Sequence, residues 1–261
     1  MGSMEQIEQA LRKSRELRRA AVRPADGIAP QVKATTAATQ ARARTINLTP
    51  SMLHDNRVIA AQMHHPVTDI YRSLRTQVLQ ALGTRGKTSI GITSANHGEG
   101  KTLTAVNLAI AMAMDVNHTV LLVDADLRNP GVAKCLGIEP ELGVSDYLIG
   151  KAEIGECLIR PGIERLSLFL ARSRIGNSAE LLSSPQMSHL ASELKDRYAN
   201  RLIIYDLPPI RTVADAIGFL PSVDATLLVV RDGATRAAEL NHAMELLANY
   251  NLIGTILNAA S

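Results

Sequence analysis

From residue 66 onward, short runs of apolar and β-branched residues alternate with longer stretches in which apolar positions recur every three or four residues. The first kind reads as strand and the second as helix. Candidate strands lie at residues 88–93, 119–123, 166–170, 202–205, 226–230 and 253–257, with 107–114 and 237–247 among the intervening helices. Several strand runs lack polar alternation, the pattern of parallel strands covered by helices on both faces. The expected class is α/β, with a mostly parallel central sheet flanked by helices on both sides.

The pattern upstream differs. Residues 4–22 place Ile7, Ala10, Leu11, Leu17 and Ala21 at helical spacing, with six basic residues from Arg12 to Arg23 on the other faces. Such a helix either docks on a membrane or partner or stays solvated. From Pro24 to about Asn56 the chain is rich in Ala, Thr, Pro and Gln without a period, which reads as linker. The expected organisation is a basic amphipathic helix at 1–23, a disordered linker at 24–60 and a globular domain at 61–261. No apolar run reaches the 18 or so residues of a membrane span, and charges stand where a signal peptide would be apolar. A cytoplasmic protein is expected.

Composition narrows the partners. With two Phe, five Tyr and no Trp, stacking of bases on aromatic side chains is disfavoured. Residues 1–60 carry 10 Lys/Arg against 5 Asp/Glu, and the remainder 18 against 20, so the net +3 belongs to the N-terminal arm. The body has no basic surface to track a nucleic-acid backbone, and no nucleic acid is expected as a partner. Cys135 and Cys157 lack metal-ligand spacing and suit a reducing compartment.

The chemistry concentrates at three strand ends. The first strand run is followed by Ala95-Asn96-His97-Gly98-Glu99-Gly100-Lys101-Thr102-Leu103, which opens a helix. Gly98 and Gly100 let backbone N–H groups approach phosphates, Lys101 meets the β- and γ-phosphates, and the Thr102 hydroxyl ligates Mg²⁺. A second run ends in Val123-Asp124-Ala125-Asp126-Leu127-Arg128, placing two carboxylates at the carboxyl edge of the sheet, where open α/β folds bind ligands. A third, Ile203-Ile204-Tyr205-Asp206-Leu207-Pro208-Pro209, ends at an acid suited to hold Mg²⁺ through the metal's shell.

Together these motifs resemble the Walker A, Walker A′ and Walker B segments of the bacterial tyrosine kinases, P-loop autokinases of capsule and exopolysaccharide export related to the MinD/ParA ATPases. The N-terminal helix and linker resemble those of the autokinases found beside PEP-CTERM/exosortase polysaccharide loci. The resemblance implies ATP and Mg²⁺, with Lys101, Asp124, Asp126 and Arg128 catalytic and Thr102, Asp124 and Asp206 at the metal. It gives Asp124 the incoming tyrosine hydroxyl to orient or deprotonate, Asp126 a supporting place at the metal, and Arg128 the task of orienting both acids. Asn258, closing the last strand, resembles the adenine-contacting Asn of the superfamily, or else caps the strand end. Asp69-Ile70-Tyr71-Arg72-Ser73-Leu74-Arg75 is similar to the family's Glu-x-x-Arg-x-x-Arg segment, with Asp69, Arg72 and Arg75 expected on one side of a helix at a ring interface. The implied partner is the cytoplasmic segment of a transmembrane chain-length regulator, which would recruit the chain to the inner face of the membrane.

The sequence also departs from that family. Asp69 replaces Glu, Ser178 stands in Asn177-Ser178-Ala179-Glu180-Leu181-Leu182-Ser183-Ser184 where proline is commoner, and His97 occupies the place where most MinD/ParA proteins carry a signature lysine. Tyrosines 71, 147, 198, 205 and 250 are scattered, where family members have a C-terminal cluster, so the acceptor stays open. Tyr71 and Tyr147 are the better candidates. A nucleotide-driven assembly ATPase that phosphorylates nothing is the alternative.

Overall fold

The computed structural model describes residues 43–62, 65–83, 88–197, 200–212 and 214–259. The expected N-terminal helix and most of the expected linker lie outside these residues. Within them, the strands are β1 (Arg44–Thr45), β2 (Ser89–Ser94), β3 (Thr119–Asp124), β4 (Leu158–Arg160), β5 (Leu166–Phe169), β6 (Arg201–Asp206), β7 (Ala225–Arg231) and β8 (Leu252–Asn258). They form one sheet in the order β1-β4-β5-β3-β6-β2-β7-β8, parallel throughout except for the β4–β5 pair.

The helices are α1 (Pro50–Asp55), α2 (Pro66–Leu82), α3 (Lys101–Ala113), α4 (Val132–Leu136), α5 (Val144–Leu148), α6 (Ile154–Cys157), α7 (Ser178–Leu182), α8 (Pro185–Asp196), α9 (Asp215–Phe219) and α10 (Ala237–Leu247). Each central strand feeds two cores, as alternating side chains of a doubly covered sheet must. Val120 and Leu122 of β3 join the face under α2 and α3, while Leu121 and Val123 join the face under α8 and α10.

Two short strands escape the sequence reading. β1 is two exposed residues, and β4 is three residues paired antiparallel to β5, too short for a period to register. The other six strands lie within a residue of their expected bounds. Helix α3 begins at Lys101, six residues before the expected start, because Gly100 takes the left-handed conformation (φ 92°) and closes the preceding loop.

The expected linker needs a correction at its C-terminal end. Residues 43–62 are packed on the domain, with Leu53, Val58 and Ala60 buried. Thr49 caps α1 and Pro50 opens it, a start signal legible in the sequence. What holds the segment is distant: Asn107 of α3 accepts the N–H groups of Ile59 (2.8 Å) and Ala60 (2.9 Å), and Thr68 donates to the Gln62 carbonyl (2.6 Å). Backbone groups that would need water in a linker are satisfied here by side chains.

Candidate active site

The site forms where β2, β3 and β6 end together. Parallel register sets Asp124 opposite Asp206 and Ile92 opposite Asp206, so the two apolar strands that stop at an acid stop side by side. The chain leaving β2 becomes the phosphate loop. A Cβ on Gly100 would collide with the Asn258 amide, and its backbone is left-handed, so only glycine fits there.

The Lys101 side chain is 9% exposed and its ammonium lies 2.8 Å from Asp126 Oδ2, 3.4 Å from Asp206 Oδ1 and 3.2 Å from Thr102 Oγ1. Thr102 Oγ1 donates to Asp206 Oδ2 at 2.7 Å. Burial alone would push the ammonium's pKa down, but the carboxylates of Asp206 and Asp126 outweigh it and hold it above the ordinary lysine value. Burial also lifts Asp206 above the carboxylate range, against the pull of Lys101. Asp124 is lifted well above that range, by burial first and then by the charge of Asp206.

Three buried carboxylates thus face one ammonium. The surplus of negative charge and the hard oxygens of Thr102 and Asp206 suit a magnesium ion, whose own charge would relieve the repulsion.

The two acids at the end of β3, both buried, differ in their partners. Asp124 is fully buried and accepts backbone N–H groups from Gly131 (3.1 Å), Val132 (3.0 Å) and Asp126 (3.3 Å), so it holds the loop that follows it. Asp126 accepts the Asn129 N–H at 2.9 Å and lines a cavity of about 430 Å³ with His97, Gly98, Gly100, Lys101, Thr102 and Leu103. Asn56, Asn129, Gly131, Lys134 and Cys135 complete its walls. Asp124 is not among the residues that line it.

Other expected residues also sit differently. The Arg128 guanidinium meets Asp215 (3.4 Å), and this pair takes the place of the expected contacts with Asp124 and Asp126. Ala95 is buried in the core beneath the loop. Asn258 donates to the Glu99 carbonyl at 2.9 Å and so braces the loop from β8. On α2, Arg72 pairs with Asp69 (2.8 Å) on the exposed face, but Arg75 turns inward to donate to the Ala111 carbonyl (3.0 Å) near the end of α3. That carbonyl belongs to a last helical turn without further helix to bond it, which is why a guanidinium is drawn there.

Sequence reasoning missed the outer brace of the loop. Buried Glu99 accepts the Asn96 N–H (3.0 Å), the Asn96 amide (3.1 Å) and the Thr235 hydroxyl (2.6 Å). Arg211 donates to Asn96 Oδ1 (2.6 Å) and pairs with Glu239 (3.3 Å). Arg211, Thr235 and Glu239 stand 115 to 143 residues from the loop residues they bond, beyond the reach of any local pattern.

Comparison with known proteins gives a consistent result. A model of the AAA domain family (AAA_31) matches residues 87–253. The chain is 37% identical to the tyrosine-protein kinase YwqD of Bacillus subtilis (strain 168) over 190 residues, 72% of this chain and 79% of that one. It is 33% identical to the tyrosine-protein kinase Etk of Escherichia coli (strain K12) over 221 residues, 84% of this chain, but spans only 29% of Etk. The solved structure of the kinase domain of Escherichia coli tyrosine kinase ETK superposes with a TM-score of 0.72 at 28% identity, covering 84% of this chain and 91% of that chain.

Proposed function

The chain belongs to the family of bacterial tyrosine kinases, and from that premise we propose that it transfers the γ-phosphoryl group of MgATP to a tyrosine hydroxyl in the control of exopolysaccharide export. The observation that carries this is the Lys101 ammonium shared between Asp126 and Asp206 at the mouth of a glycine-rich loop.

Lys101 and the loop N–H groups from Gly98 to Thr102 hold the phosphates, and Thr102 and Asp206 hold the metal's shell with Asp124 behind them. Mg²⁺, when bound, supplies charge that offsets the triphosphate and the surplus carboxylates. Asp126, released from Lys101 when the phosphates draw the ammonium away, accepts the proton of the tyrosine hydroxyl. The phenolic oxygen bonds to the γ-phosphorus as the bond to the β–γ bridging oxygen breaks, and ADP leaves with that electron pair. Catalysis is positional and electrostatic, as phosphoryl transfer requires of a protein.

The described residues offer no exposed acceptor, which favours another polypeptide or Tyr198, which lies outside those residues. Among the described residues no tyrosine is exposed: Tyr71, Tyr147 and Tyr250 are half-buried, and Tyr205 is buried. Burial raises the Tyr71 phenol, which bonds Thr104, and Tyr147 donates to Glu193. The same observation favours the alternative reading, an assembly ATPase. The partner in either case is the cytoplasmic segment of a transmembrane chain-length regulator, which recruits the chain to the membrane; no described helix is long and apolar enough to cross one itself. Self-association through the Asp69–Arg72 face would build the ring.

The deciding experiment is intact mass with phosphosite mapping after incubation with MgATP and the regulator's cytoplasmic segment, beside Lys101→Met. Phosphate-sized steps on tyrosine that vanish in the variant are expected. ATP hydrolysis with no protein modified would establish the assembly ATPase instead.

A further inference from the structure

Arg128 stands in the loop after β3 between Asp126 and Asn129, which both line the cavity, and its side chain stays 44% exposed. What it meets is not exposed. Asp215, the first residue of α9, is 1% exposed, and its Oδ1 lies 3.4 Å from Arg128 Nη2. Its other oxygen accepts the hydroxyl of Ser178, a fully buried residue that opens α7.

The surroundings are rigid. A Cβ on Gly218 of α9 would run into Ser183 just after α7, so the two short helices touch without space between them. The Ile175 N–H donates to the Leu127 carbonyl at 2.9 Å, tying the stretch before Ser178 to the residue before Arg128. A carboxylate taken out of water needs a cation and further donors. Here Arg128 is the cation and Ser178 a donor. A guanidinium has five N–H groups in a planar fork, so one engaged with Asp215 still presents others to the open side.

We propose that Asp215 and Ser178 form a buried clamp that positions the Arg128 guanidinium, so that its free N–H groups meet the charge building on the transferring phosphoryl group and acceptor oxygen. Asp215 is then a positioning residue for phosphoryl transfer, acting through Arg128. The inference rests on the phosphotransfer reading above and adds to it two residues that stand 37 positions apart in the chain. Ser178 is placed to matter although it is a small side chain, because proline, which favours the first position of a helix, would preserve α7 yet remove the donor to Asp215.

The test is a double-mutant cycle in the full-length chain, reading kcat for protein phosphorylation, kcat for phosphate release, and ATP affinity. Asp215→Asn is expected to lower kcat about 10²-fold, the loss that follows small misplacement of a catalytic group. ATP affinity should stay within about twofold, since Asp215 touches no phosphate-binding group. In an Arg128→Ala background Asp215→Asn should cost nothing further, because the residue it positions is gone. Ser178→Pro should lower kcat about tenfold when assayed at a temperature where it and the parent are both folded, and Ser178→Thr, which keeps the donor, should retain activity.

Equal losses with and without Arg128, or an unchanged kcat in Asp215→Asn, would overturn the proposal and leave the clamp a structural tie. Should Asp215→Asn fail to fold, Ser178→Pro against Arg128→Ala gives the same cycle. A parent chain that hydrolyses MgATP without modifying protein would overturn the kinase reading alone, and the cycle read on phosphate release would still decide whether Asp215 acts through Arg128.

Discussion

The two ends of the central sheet both carry carboxylates, buried at one end and half-buried at the other, with opposite results. At the carboxyl end Asp124, Asp126 and Asp206 share the single ammonium of Lys101, and burial lifts Asp124 and Asp206 above the ordinary range. At the amino end Asp224 accepts the N–H groups of Thr88 and Ser89, the Ser89 hydroxyl (2.8 Å) and the Lys195 ammonium (3.0 Å). Burial would raise Asp224 too, but those donors, Lys195 foremost, outweigh it and hold the group below its usual value. One cluster is short of positive charge and the other is balanced. A balanced carboxylate fastens β2 to β7 and α8; an unbalanced cluster costs stability until something cationic arrives, which is the condition of a binding site.

Breaking the unbalanced cluster should have the largest effect. Lys101→Met should lower phosphoryl transfer by about 10³-fold or more, and removal of the cation from buried carboxylates should destabilise the nucleotide-free protein by about 3 kcal/mol. Turnover assays and urea unfolding check both. Asp126→Asn comes next, with a loss of about 10² to 10⁴ in kcat if it is the base, while Asp124→Asn should act more on fold stability through the three N–H groups it holds. A larger kcat loss in Asp124→Asn at unchanged stability would return the base role to Asp124.

Asp206→Asn separates function from stability. It removes one of the surplus charges, so transfer should fall about 10²-fold while the melting temperature without nucleotide holds or rises. Asp224→Asn should do the reverse, leaving turnover unchanged and costing about 1 to 3 kcal/mol. Its pH dependence has a definite sign. The folded pKa is depressed, so the contribution is fully present above the unfolded value of about 4 and is lost as the pH falls through the folded value below it. The gap between parent and variant in urea midpoint should therefore be constant near neutrality and close in acid; a gap that widens in acid would contradict the assignment.

The smallest effect is expected on α2. Arg75→Ala should cost about 0.5 to 1 kcal/mol through the lost bond to the end of α3, with transfer unchanged. Sedimentation that shows self-association lost well beyond that cost would place Arg75 at an interface as well.

The same contrast explains what could be read in advance. Gly98, Gly100, Lys101 and Thr102 are contiguous and follow an apolar run, so their chemistry is written locally. The run ending at Asp206 is legible for the same reason: a parallel strand buried on both faces has no polar residue until it reaches the ligand edge. Asp215 gives no such signal. It is one more acid in a loop-rich stretch until tertiary structure buries it against Arg128 and Ser178. Asn107 reads as an ordinary helical residue, although its side chain converts the expected linker near residue 60 into part of the domain.

By itself, then, the sequence determined the α/β class, the three strand ends that carry the acids and the phosphate loop, because hydrophobic period and glycine backbone freedom are properties of neighbours in the chain. Only the tertiary structure decided that Asp124 turns to the backbone while Asp126 faces the cavity. It likewise decided that Arg75 donates to the end of α3 and that Arg128 is held by Asp215. Each of these is a choice of partner for a charge, and a buried charge takes whichever donor or counter-ion the fold brings within about 3 Å, however far away it lies in sequence.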